Sequence, residues 1–235
     1  MKRTPSLFLA LSLAAIAAVA QNPQPPAGAA IPTVKFDVFW EPATPQQYTI
    51  TVQATGETKY VSHNPTKPAD ENGVQGDDFE TQFTLSAATR DKIFAMAEQA
   101  RYFDGEFDYK KHSVANTGRK TLTYSDSNRH FATTYNWSEN AAVDQLTRMF
   151  QGVSNVIEHG NKIQFLRRFD KLGLEAELKA LEDQSAAHFL TELQLIAPTL
   201  ESIANDPAIL NIARQRAKRL LAQCSKEEAS AKSVR

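Results

Sequence analysis

The chain has 235 residues, of which 42% are hydrophobic, 23% charged and 9% aromatic, with a formal net charge of −1. Nine glycines and eleven prolines are too few for a collagen-like or low-complexity chain, and the proportions match an ordinary globular protein. The near-balanced charge excludes a general nucleic-acid binder, which carries a basic excess, so no nucleic acid is expected among the partners.

Residues 1–20 read as a signal peptide. Lys2 and Arg3 give a positive start, 7–18 is an apolar run broken only by Ser12, and Ala18-Val19-Ala20 supplies small residues at alternate positions for cleavage before Gln21. The run is shorter than the roughly 20 residues that span a bilayer, so no transmembrane helix is expected after cleavage. The mature chain would carry a formal charge of −3 and reside in the periplasm or outside the cell. Its lone cysteine, Cys224, allows no internal disulfide; it is either idle or able to pair with a second chain.

Residues 21–33 read as an extended Pro/Ala-rich tether with little to bury. Period-2 alternation then marks strands. Val34, Phe36, Val38 and Trp40 form the first, Tyr48, Ile50 and Val52 the second, and Thr55-Gly56 turns the chain into a third at 58–61. A polar loop leads to a fourth strand at 79–85. Ser86 is placed to cap a helix whose buried stripe is Ile93, Met96, Ala97 and Ala100. A hairpin over 120–124 and 129–136 turns at Ser125-Asp126-Ser127-Asn128. Asn136-Trp137-Ser138 spells a glycosylation triplet but reads as a strand end and a helix cap, with Ser138 opening a helix that Gly160 closes.

Beyond Gly160 the pattern is purely helical. Gly173 is expected to interrupt the first helix, and Leu174, Leu178 and Leu181 continue a second. Phe189, Leu193, Ile196, Leu200 and Ile203 form a third, kinked at Pro198. Asp206-Pro207 should start a fourth, with Ile209, Ala213, Ala217 and Leu220 inward. The expected fold class is α+β, an antiparallel sheet with two packed helices followed by an all-helical extension. Its division is an α+β domain over 34–160, a helical segment docked on it over 161–223, and a disordered tail over 224–235. Sixty helical residues seldom bury enough to stand alone, hence the docking.

The stretch from Tyr48-Thr49-Ile50-Thr51-Val52 through Gly56-Glu57-Thr58-Lys59-Tyr60, Leu85-Ser86 to Phe103 and Gly118-Arg119-Lys120-Thr121-Leu122 resembles an uncharacterised family of exported bacterial domains. The resemblance covers about 34–160 and is one of layout: strands, helix, hairpin, helix. It implies a fold and a compartment and no activity. Related domains often carry cysteines ahead of the second strand, where this sequence has Pro45-Gln46-Gln47.

No phosphate-binding glycine loop, paired-cysteine site, zinc-protease helix or nucleophile elbow is present. Glu158-His159 lacks a second histidine at helical spacing, and Ser154 falls mid-helix. No catalytic, cofactor-binding or metal-binding residue is assigned, and no cofactor is expected. His188 and Glu192, four apart, could share a helix face as metal ligands or as a surface couple. The acidic stretch 70–78 could hold calcium or simply be a hydrated loop. Asp104, Glu106 and Asp108 alternate with aromatics, as a sugar-cleaving site or an extended connector would. The clearest asymmetry is Arg214, Arg216, Lys218 and Arg219 in the last helix, with no acid nearby in sequence; helix polarity or an anionic envelope surface would each explain them.

Two functional expectations follow. One is a non-catalytic interaction module of the cell envelope, docking a protein partner or an anionic surface through a sheet edge, the strand around Tyr135 or the basic helix. The other is a small extracytoplasmic hydrolase assembled from separated residues such as Asp104, Glu106, His112 and His130.

Overall fold

The computed structural model describes residues 30–63 and 78–233, with side chains described as far as Ser225. The signal peptide, most of the tether and most of the acidic loop lie outside the described residues. Among the described residues there are six strands: β1 (Thr33–Phe39), β2 (Gln47–Gln53), β3 (Glu57–His63), β4 (Phe79–Thr84), β5 (Arg119–Ser125) and β6 (His130–Tyr135). They form one antiparallel sheet in the order β4-β3-β2-β1-β5-β6. The register aligns inward residues into rows across the strands. Tyr60, Ile50, Phe36, Leu122 and Thr133 make one such row, and Ser62, Tyr48, Val38, Lys120 and Tyr135 the next. The alternation read from the sequence is therefore the alternation of the sheet's two faces.

Two helices close over the buried face, α1 (Ala87–Gln99) and α2 (Ala141–Phe169). Ile93, Met96 and Ala97 of α1 join Val143, Leu146, Phe150 and Val153 of α2 in a core with Phe36 and Ile50. Phe36 and Phe150 stack with ring centroids 5.1 Å apart. Ser86 caps α1 as expected, its Oγ accepting from the Thr89 amide at 3.2 Å. After α1, Arg101, Tyr102 and Phe103 form a left-handed turn (φ 52, 57 and 71°). Such turns cost non-glycine residues about 1–2 kcal/mol each. Here the buried Phe103 ring and the Arg129 guanidinium, 3.7 Å from the Tyr102 ring centroid, hold it in place.

Several helix boundaries differ from those read in the sequence. The cap of α2 is Asn140, whose Oδ1 accepts from Ala142 and Val143 amides at 3.0 and 3.1 Å; Ser138 only accepts from the Asn140 amide. Gly160 does not close α2, which runs 29 residues to Phe169, about 43 Å at 1.5 Å per residue. Gly152 and Gly160 are instead close-approach positions. A Cβ on Gly152 would lie 2.5 Å from Thr191 Oγ1, and one on Gly160 2.5 Å from Ile196 Cγ2.

The chain breaks at Asp170, which caps α3 (Lys171–Ala186) by accepting from the Leu172 and Gly173 amides. Gly173 thus sits in the first turn and interrupts nothing. A 3-10 turn at Leu193–Ile196 leads into α4 (Ala197–Ala204), where Pro198 lies in the first turn and no kink forms. Asp206-Pro207 makes a turn, with Asp206 Oδ1 accepting from the Ala208 amide, and α5 (Asn211–Ser233) begins later and continues past 223 to Ser233.

The C-terminal helices share a second core of Val156, Ile163, Leu174, Leu178, Leu200, Ala213 and Leu220, with Cys224 buried in it. Polar pairs line its joints. Glu177 on α3 meets His159 at 2.5 Å and Lys162 at 2.6 Å on α2. The segment is also clasped to the first core by Glu192, only 6% exposed, whose carboxylate reaches the start of α1. It accepts from the Ser86 amide at 2.8 Å, from Ser86 Oγ at 2.5 Å and from Thr89 Oγ1. A negative group at a helix start is favoured there by the backbone dipole.

Gly160→Ala tests the close approach. Alanine gains roughly 0.5–1 kcal/mol of helix preference, whereas overpacking costs typically 1–3 kcal/mol. The expected net result is a melting temperature lowered by a few degrees. Pairing it with Ile196→Ala should give a smaller loss than the two single changes summed, as contacting positions require. A rise in melting temperature for Gly160→Ala alone would refute the contact.

Candidate functional site

A concavity lies where the ends of β5 and β6 meet α2 and the end of α3. It measures about 780 Å³, within the range of small-ligand sites. One wall is a stripe along α2. Asp144, Arg148, Gln151 and Asn155 recur at intervals of four, three and four, and all line the cleft. That spacing puts them on a single helix face. Asp144 accepts from Arg148 Nε at 3.0 Å, so the two charges at this end of the stripe stand side by side and offset each other, with the arginine still facing solvent.

The inner end of the cleft is set by β5 and β6. Tyr135 is buried, and its phenol meets Thr147 Oγ1 at 2.6 Å. Thr147 in turn donates to the Val143 carbonyl at 2.7 Å, which makes Tyr135 the donor of that pair. Lys120 lies beside Tyr135 on the inward side of β5 and is only 4% exposed. Its ammonium donates to four uncharged oxygens: Thr117 O and Oγ1, both 2.9 Å away, Gly118 O at 3.1 Å and Asn136 O at 2.8 Å. Three protons shared among four acceptors leave none for a ligand. Lys120 therefore acts as a clamp, tying the approach to β5 onto the residue that follows β6. Burial pushes its amine down to about 8.

Two exposed aromatics complete the lining. Trp137, 41% exposed, follows β6 directly, and Tyr109 meets it edge-on with ring centroids 4.8 Å apart. Phe189, 63% exposed, is presented by the end of α3. There the Phe189 amide donates to Gln184 O and the His188 amide to Ser185 O, with His188 at φ 59°. This is the Schellman termination, with histidine in the left-handed position glycine usually takes. The side-chain amide of Asn155 donates to the Phe189 carbonyl at 3.4 Å. The expected pairing of His188 with Glu192 on one helix face is thereby overturned: the helix has ended, His188 is exposed, and Glu192 is turned inward to α1.

No protein-family model matches the chain, and no curated protein is significantly similar to it. The reading of the site rests on its own geometry.

The basic residues of α5 divide. Arg216 pairs with Glu175 at 2.9 Å and with Glu182, and Arg219 pairs with Glu182 at 2.7 Å. Although burial acts upward on Glu182, hydrogen bonds from Arg219 and Arg216 hold its carboxyl below the usual range. The acids absent along α5 come from α3 across the helix interface. Arg214 bonds to Asn211 on its own helix, and Lys218 faces solvent.

The hydrolase set does not assemble. Glu106 pairs with Lys110, His112 lies beside Tyr109, and His130 meets Ser125. His130 begins β6, whereas the Tyr109–Trp137 cluster lies beyond its other end, roughly 20 Å away at strand rise. Ser154 is buried against the phenol of Tyr60 at 3.0 Å. Among the described residues no group of three or more His, Cys, Asp or Glu could hold a metal ion. None of their helices is long and apolar enough to cross a membrane.

Sequence reasoning assigned Lys120, Arg148, Gln151, Asn155 and Gln184 no part in a site, and it placed Trp137 at a strand end and Phe189 on the inner face of a helix, whereas Phe189 is exposed. Two signals were present. Lys120 holds the inward parity of β5 between Leu122 and the loop, and the α2 stripe repeats at helical spacing on the side away from Phe150 and Val153.

The Lys120 clamp predicts a pH dependence. In the unfolded chain a lysine titrates near 10.4, whereas in the fold it titrates at about 8. Between those values the unfolded state holds a proton the native state has shed, so stability rises with pH across that window. The phenols of Tyr48, Tyr60 and Tyr135, raised by burial, act oppositely above about 10, where the unfolded chain ionises first. Urea midpoints should therefore climb from about pH 7.5 to about 9.5 in the parent protein and stay flatter in Lys120→Met. Equal slopes in both would remove Lys120 as the cause.

Proposed function

We propose that this protein is an exported, non-catalytic binding module of the cell envelope, and that its ligand sits in the cleft between β6, α2 and the end of α3. The observation that carries this reading is the division of labour in the cleft. Its charged groups are either offset, Asp144 beside Arg148, or spent internally, Lys120 on backbone and hydroxyl oxygens. What it presents outward is two exposed aromatic rings and side-chain amides. Such a lining binds by shape and hydrogen bonding. Export is supported by the leader pattern of residues 1–20. The strand around Tyr135 is thus favoured over the basic helix, half of whose cations are committed to α3.

The test uses the mature chain and the envelope fraction of the source cell. Saturable retention is expected, lost in Phe189→Asp at unchanged melting temperature and kept in Lys218→Glu. Retention indifferent to Phe189, or lost with Lys218, would move the docking surface elsewhere. Steady turnover of a small molecule, abolished by replacing Asp104, Glu106, His112 or His130, would overturn the non-catalytic reading.

A further inference from the structure

Resting on that cleft reading, we infer that the ligand is an uncharged oligosaccharide bearing N-acetyl groups, laid against Trp137 and Phe189 and hydrogen-bonded by Gln151, Asn155 and Gln184. Four observations lead there. The first is the pair of exposed rings from separate elements, one ending β6 and one ending α3. The face of an aromatic ring is electronegative and attracts the polarised C–H bonds that line a sugar ring.

The second is Gln184. Its Oε1 is buried in the cleft wall without a hydrogen-bond partner. An unmet buried acceptor is costly, and a turn of the Gln184 side chain that brings it to a ligand hydroxyl or amide N–H in the cleft would satisfy it. Gln151 and Asn155, one turn apart on α2, add further side-chain amides, each with both donor and acceptor atoms. The vicinal hydroxyls of a sugar are likewise both donors and acceptors, which suits amides better than it suits fixed charges.

The third is charge. With the charge of Arg148 offset by Asp144 beside it and the Lys120 protons fully shared, the cleft carries no excess positive charge for a phosphate or carboxylate. This favours an uncharged ligand over an anionic one. The fourth is a second recess of about 370 Å³ that shares Trp137 and Thr117 with the cleft and is otherwise lined by Tyr109, His112, Val114 and Ala115. It is largely apolar and would receive an acetamido methyl while the sugar ring lies on Trp137. A ligand spanning both spaces is a chain of more than one sugar.

Calorimetric titration of the mature chain with the β-1,4-linked N-acetylglucosamine tetramer tests this directly. Saturable binding is expected, weakened by about tenfold or more in Trp137→Ala and in Gln184→Leu, each at unchanged melting temperature. The glucose tetramer of the same linkage, lacking the acetamido groups, should bind about tenfold more weakly than the acetylated one. No saturation at millimolar tetramer with folded protein would overturn the inference, as would equal affinity for the two tetramers or binding indifferent to Trp137. If envelope retention depends on Phe189 but the retained ligand is destroyed by protease, the cleft reading survives and the saccharide is refuted. Loss of both overturns both.

Discussion

The structure depends on the unbroken helix α2. Its first half faces the sheet through Val143, Leu146, Phe150 and Val153, and its second half faces the C-terminal helices through Val156 and Ile163. A helix is stiff over this length, so both cores are built against one rod and their relation is fixed. Had the helix ended at Gly160, a hinge would stand where the two cores meet. The glycines do the reverse of hinging. By lacking side chains at 152 and 160 they let Thr191 and Ile196 approach the backbone of α2.

The cleft is a consequence of that arrangement. It opens at the junction because the return segment after α3 must cross α2 to reach Glu192 and its seat on Ser86 and Thr89. The Schellman end of α3 directs this crossing and leaves Phe189 outside the second core. The polar stripe of α2 then forms the one side of the helix that neither core covers at this point. Aromatic presentation and amide exposure follow from how two cores share a helix.

Much of the fold was legible in the sequence, because strand alternation is local. Val34, Phe36 and Val38, or Tyr48, Ile50 and Val52, name the buried face on their own, and the hairpin at Gly56 needs only a tight turn with positive φ (94°). The inner faces of α3 and α5 were equally local, as Leu174, Leu178 and Leu181 or Ala213, Ala217 and Leu220 show. What failed was punctuation that depends on distant partners. Gly160 looks like a stop until Ile196 is placed beside it, and Arg216 looks unpartnered until α3 brings Glu175 and Glu182 across. His188 ends α3 in the left-handed region without the glycine that normally announces such an end. The site was less legible than the fold for the same reason. Trp137, Gln184 and Phe189 come from three places in the chain, and no spacing rule links them.

Two of the three buried charges among the described residues, Lys120 and Glu192, obey one logic on the two sides of the cleft. Each avoids a counter-ion and instead collects hydrogen bonds from segment ends: carbonyls before β5 and after β6 for the cation, the amide and hydroxyls at the start of α1 for the anion. Burying a charge is tolerated only where such bonds replace its water. A paired salt bridge would meet the electrostatic need but would fix only two side chains. These single charges fix backbone, and the backbone they fix carries Trp137 on one side and the approach to Phe189 on the other. Placing the charges in the frame, rather than in the space between the rings, is what leaves that space neutral.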